Sequence, residues 1–157
     1  MDKSLLKLVM LVSAFVGGVC GVLTILPYVG HIAFWILLCL ASVIVMTFLM
    51  RAKVLELFTV QESVTLGAII GFVSFMVFCI VYVPVVIILM KFFNYYSNYG
   101  VSVILSSASF GVILILSLFM GVLSATVNAF TGFLTYYVKE FLNTLDKNEE
   151  KRYRQFK

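Results

Sequence analysis

The sequence predicts an all-α integral membrane protein, an antiparallel four-helix bundle that is N-in/C-in, and three observations predict it. The first is composition: 63% of the 157 residues are hydrophobic and 11% are charged, against about 45–50% apolar and about 25% charged in soluble globular chains. The second is the blocking of charge, since no Asp, Glu, Lys or Arg occurs from Leu8 to Met50, from Ser63 to Met90 or from Phe92 to Val138. The third is where the cations fall. Folding the apolar runs into four spans puts ten of the eleven Lys and Arg residues on one side and leaves only Lys91 on the other, the asymmetry that marks a cytoplasmic face.

The first span is expected at residues 7–26, roughly 20 residues and long enough for a hydrocarbon core of about 30 Å at 1.5 Å per residue. Lys3 and Lys7 ahead of an apolar run are also a feature of secretory signals. This run outlasts a signal's apolar region of about 7–15 residues and has no A-x-A-like cleavage site, so a retained span is expected. Pro27-Tyr28-Val29-Gly30 then supplies a tight turn. The second span, residues 31–50, completes a hairpin, with Tyr28 and Trp35 as interfacial rings. His31 has no second ligand or carboxylate near it in sequence and reads as one more interfacial residue.

Arg51, Lys53, Glu56 and Glu62 mark the next loop. Ala52 to Phe58 alternates charged and apolar residues, the pattern of a short interfacial helix. Thr59-Val60-Gln61-Glu62 has the capping-box spacing directly ahead of an apolar run, so the third span is expected at residues 63–84. The apolar run continues to Met90, so the helix is either long and tilted or gives way to a segment lying along the interface. Phe92 to Tyr99 is aromatic and uncharged, which suits headgroup depth.

From Val101 to Val138 there are 38 uncharged residues, enough for two short spans, but a fifth span would export the basic tail. Val101 to Ser109 is therefore assigned to the outer interface or a helix extension, and the fourth span to residues 110–138. Residues 1–138 form one transmembrane domain on this reading, and residues 139–157 a charged cytoplasmic tail that continues the fourth helix, with Glu150 and Arg154 spaced for an i, i+4 pair.

The fourth span carries the most specific pattern. Ser117, Gly121, Ser124, Asn128, Thr131 and Thr135 recur at spacings of three and four, which confines them to an arc of roughly 80° on a helix. They are candidates for helix packing or for lining a pathway. A second set of small residues, Ser13, Gly17, Gly21 and Thr24, is repeated 50 residues later as Ser63, Gly67, Gly71 and Ser74. Such stripes let helix backbones approach closely in lipid, so Gly17, Gly21, Gly67 and Gly71 are helix-packing candidates. The repeat also hints at two related hairpins. The glycine faces of the first and third spans are the expected receivers of the fourth-span seam, and Asn128, near the bilayer midplane, is the residue whose partners decide its role.

Several classes of function are excluded or disfavoured. Cys20, Cys39 and Cys79 all fall in apolar runs without C-x-x-C spacing, so neither a disulfide framework nor a metal site is expected. No cofactor motif occurs, and no Asp, Glu or Lys lies at depth for hydrolysis, proton relay or ion coupling. The net charge of +4 resides in loops and tail and reads as contact with anionic lipid headgroups rather than nucleic acid. The glycine-faced first and third helices and the proline-containing turn resemble those of various small four-span bacterial membrane proteins of uncharacterised function; the likeness covers most of the chain and carries over no functional residue. The expectation is a non-enzymatic accessory, assembly or oligomeric module in a bacterial inner (plasma) membrane, both termini cytoplasmic, partnered by the lipid bilayer and by a second copy or a larger membrane protein. The alternative is a small transporter or channel for a neutral solute, lined by the fourth-span seam.

Overall fold

A computed structural model describes residues 3–26, 28–54, 59–96 and 99–155; the side chains of Tyr99, Asp146 and residues 148–155 are not among those described. Among the described residues the regular structure is all helical: α1 Lys3–Leu23, α2 Val29–Arg51, α3 Val60–Phe93, α4 Tyr99–Ser107 and α5 Phe110–Gln155. Four of these, α1, α2, α3 and α5, are long and apolar enough to cross a bilayer, which makes this a polytopic integral membrane protein.

The α1–α2 turn depends on close backbone approach. The Gly30 N–H donates to the carbonyl of Leu26 at 3.0 Å, and a Cβ at Gly30 would run into the carbonyl oxygen of Thr24. Tyr28, almost fully exposed, adopts a φ of 69° there; Pro27 lies outside the described residues. At its other end α2 closes with Lys53 in the left-handed region at φ 56° and the Val54 N–H bonded to the Leu49 carbonyl at 3.1 Å. Residues 52–54 are therefore a turn and not the start of an interfacial helix, because a left-handed residue reverses the chain and uses up the last carbonyls; residues 55–58 lie outside the described residues.

α3 starts where the capping pattern places it, with Thr59 extended and its Oγ1 accepting from the Glu62 N–H at 3.2 Å. Of the two courses left open beyond residue 84, the long helix is the one found. The helix runs through Pro84 to Phe93, 34 residues in all, or about 51 Å against a hydrocarbon core of about 30 Å. Proline removes one N–H donor but does not forbid helical backbone on either side. Here the following turn is held by packing, since Val86 is buried in the core. What stops α3 is Asn94, whose left-handed backbone (φ 50°) lets its own N–H and that of Tyr95 both reach the Leu89 carbonyl. Tyr95 Oη then donates to the Ile25 carbonyl at 3.3 Å, fastening the end of α3 to the α1–α2 turn.

Between α3 and α5 the uncharged stretch forms the separate nine-residue helix α4. α5 is a single helix of 46 residues that continues past Lys139 to Gln155. The side chains of Glu150 and Arg154 are outside the described set, so their pairing is too.

α2 is the most enclosed span and α5 the least. Leu37, Ala41, Val45 and Met46 on α2 are fully buried, and with Ile70 and Leu66 of α3 they form the middle of the core. Toward the α1–α2 turn the core becomes aromatic: Phe34 meets Phe75 and Phe78, and Phe78 stacks on Tyr82 with centroids 5.1 Å apart. Offset rings at such distances add to the area they bury.

Candidate functional site

The seam of α5 faces inward along most of its length. Gly121, Ser124 and Asn128 are buried, whereas Ser117, Thr131 and Thr135 are half-buried toward the two ends. Ser117 lies in an apolar recess with Met76, Cys79 and Pro84. Gly121 rests against the Phe72 ring and the Met76 sulfur.

The centre of the site is the Asn128 carboxamide, which has no solvent-exposed surface. Its Oδ1 accepts from the Ser42 N–H at 2.8 Å, and its Nδ2 donates to the Leu38 carbonyl at 2.9 Å and to the Ser124 carbonyl at 3.0 Å. Both amide hydrogens are thus used, and the orientation of the group is fixed by one N–H donor and two carbonyl acceptors. Ser42 N–H and Leu38 C=O are separated by four residues, so they belong to one i→i−4 rung of α2. The side chain of α5 therefore grips the backbone ladder of α2 rather than one of its side chains.

Hydroxyls extend this contact. Ser42 Oγ and Thr131 Oγ1 are 2.6 Å apart, and Thr131 Oγ1 lies 3.2 Å from the Asn128 carbonyl. A chain in which Ser42 donates to Thr131 and Thr131 donates to that carbonyl uses each hydroxyl hydrogen once. Thr135 turns back on its own helix, donating to the Thr131 carbonyl at 2.8 Å.

The other side of the seam is received by α3. A Cβ at Gly67 would collide with the Asn128 carbonyl oxygen, and one at Gly71 would stand 2.6 Å from both Asn128 Cβ and the Ser124 carbonyl oxygen. Ser124 Oγ donates to the Gly71 carbonyl at 3.1 Å, and Ser63 Oγ to the Gly132 carbonyl at 2.7 Å. Along this interface positions 63, 67 and 71 of α3 meet positions 132, 128 and 124 of α5, so contacts ascend one helix as they descend the other.

The expected partnership between the seam and the first span is corrected by these contacts. Gly17 and Gly21 face α3, not α5: a Cβ at Gly17 would strike the Ser74 carbonyl, and Gly21 abuts Val81 and Phe78. Ser74 Oγ donates to the Ser13 carbonyl at 3.0 Å. The physical reason is that helices cross at an angle, so one straight stripe cannot follow one partner indefinitely. On α3, Ser63, Gly67 and Gly71 serve α5, and Ser74 is taken by α1. The equal spacing of the two stripes therefore does not correspond to equal packing, and the contacts give the hint of related hairpins no support.

Two contributors lie outside the stripes read from the sequence. Gly132, whose Cβ would stand 2.7 Å from the Ser63 carbonyl oxygen, continues the buried line Gly121, Ser124, Asn128. Ser42 supplies both the backbone N–H and the hydroxyl on α2. Its signal was available, since it is the one hydroxyl residue in the middle of the second apolar run.

The site is thus a buried, three-helix polar clasp in an integral membrane protein. No protein-family model matches the chain, and comparisons with curated proteins and with solved structures likewise find no match.

Proposed function

We propose that the protein is a non-enzymatic accessory or assembly module, an antiparallel four-span bundle of a bacterial inner membrane with both termini cytoplasmic. On this reading it acts through its lateral surface, by packing on a second copy or on a larger membrane protein. The observation that carries it is the Asn128 amide, fully buried and with both its hydrogens bonded within the chain. A group so engaged stabilises helix association and is not free to coordinate a passing solute. The opposite face of α5 is lined by large exposed apolar side chains, among them Ile115, Phe119, Val122 and Phe130, a surface suited to lipid or to another helix.

Reconstitution tests this reading. Proteoliposomes are expected to pass water, glycerol and urea no faster than protein-free liposomes, while cross-linking in the native membrane traps a stable complex. A saturable flux that Asn128→Val abolished without loss of stability would instead establish the seam as a pathway.

Orientation has its own expected outcome. In a variant without the native cysteines, Thr144→Cys is expected to resist an impermeant maleimide added to intact cells and to react after lysis. Labelling in intact cells would overturn the cytoplasmic placement of the tail.

A further inference from the structure

We infer that the groove between α2 and α5 is a binding site for one anionic phospholipid, its acyl chain lying along the groove and its headgroup held by Arg51 and Lys139. The inference rests on the membrane-spanning fold and is independent of the proposed accessory role.

The groove is open, with a volume of about 690 Å³, and its walls come from these two helices alone. Leu40 and Val43 line it on α2, Leu134 and Val138 on α5, and both cations stand at the same end. From Leu40 to Arg51 the α2 wall rises about 16 Å, which is about half of a 30 Å hydrocarbon core and so the depth of one leaflet. Arg51 is the last residue of α2, and Lys139 is the first charged residue after the long uncharged run ending at Val138. Two helices far apart in sequence thus bring their boundary cations to the same groove.

Each cation has a plainer role available. Arg51 suits the negative end of the α2 dipole, and Lys139 could simply reach for the interface. Neither role accounts for both flanking one continuous apolar groove. Among the described residues no ion pair occupies either of them, and Glu140 sits one position beyond Lys139, about 100° further round the helix. The charge complement of the site is therefore an anion attached to an apolar chain. Basic pockets between spans at the cytoplasmic boundary hold anionic lipid heads in this way.

The test is native mass spectrometry of the full chain released from vesicles of equal phosphatidylglycerol and phosphatidylcholine. The parent is expected to retain one phosphatidylglycerol, with a preference of roughly tenfold or more over phosphatidylcholine. Arg51→Gln with Lys139→Gln is expected to remove that preference, and Lys3→Gln with Lys91→Gln to leave it. Should the double variant fail to fold, Thr47→Phe, which fills the groove from an exposed position without changing charge, is expected to expel the lipid. Equal retention of the two lipids by the parent would overturn the inference, as would loss of preference in the Lys3/Lys91 control. A dimer that Thr47→Phe dissociates with lipid retention unchanged would assign the groove to a second copy and overturn it as well.

Discussion

Gly67→Val is expected to separate α3 from α5 and to lower the stability of the bundle by about 1–3 kcal/mol, the range for forcing extra atoms into a packed interface. The clash is with backbone: a Cβ there meets the Asn128 carbonyl oxygen, the Asn128 carbonyl carbon and the Ala129 Cα. No rotamer change can move those atoms, so one helix has to shift, and the hydrogen bonds from Ser63 to Gly132 and from Ser124 to Gly71 flank the point of shift. Gly18→Val is the matched control. Nothing lies within 4 Å of a Cβ at Gly18, so its unfolding midpoint in mixed micelles is expected to stay close to that of the parent. Equal midpoints for the two variants would mean that the close α3–α5 approach contributes nothing.

Asn128→Asp is expected to destabilise the protein more than Asn128→Leu does, although aspartate is the closer match in shape. Leucine deletes an interhelical pair worth about 0.6–2 kcal/mol, and the Ser42 N–H and Leu38 carbonyl it releases are spaced to bond one another. Aspartate cannot be accommodated so simply. Ionised, it places a charge near the bilayer centre at a cost of about 2.5–3.5 kcal/mol by insertion scales. Protonated, it has one O–H for the two carbonyls, Leu38 and Ser124, that the amide serves. A water-lined seam would reverse the order, because water solvates a carboxylate and not a leucine. Urea or SDS titration of both variants therefore distinguishes a dry clasp from a wet pathway by the sign of their difference.

The phases of α1, α3 and α5 were legible in the sequence, and the phase of α2 and the pairing of helices were not. Gly17 and Gly18 are adjacent and chemically identical, yet spacing from Ser13 and Gly21 singled out Gly17, the one against which α3 is packed. In the same way the three-and-four spacing marked the buried side of α5 at Gly121, Ser124 and Asn128. What spacing cannot encode is a partner that uses its backbone. Every non-proline residue offers an N–H and a carbonyl, so apart from the Ser42 hydroxyl nothing in the α2 sequence marks the Leu38–Ser42 rung as the one that Asn128 grips. The end of α3 was hidden for a related reason. The apolar run past residue 84 allows a long helix or an interfacial segment, and the burial of Val86 and the left-handed backbone at Asn94 decide for the helix and for where it stops.

The Asn128 clasp also has a consequence for biogenesis. Its α2 partners, Leu38 and Ser42, precede it by 90 and 86 residues, so they are synthesised well before the amide that grips them. Until α5 arrives, the glycine face of α3 lacks the surface it packs against, and until α5 meets α2 its own amide has only Ser124 to bond at that depth. Docking of α5 thus satisfies its own amide and, in the same step, gives the glycine face of α3 its packing surface.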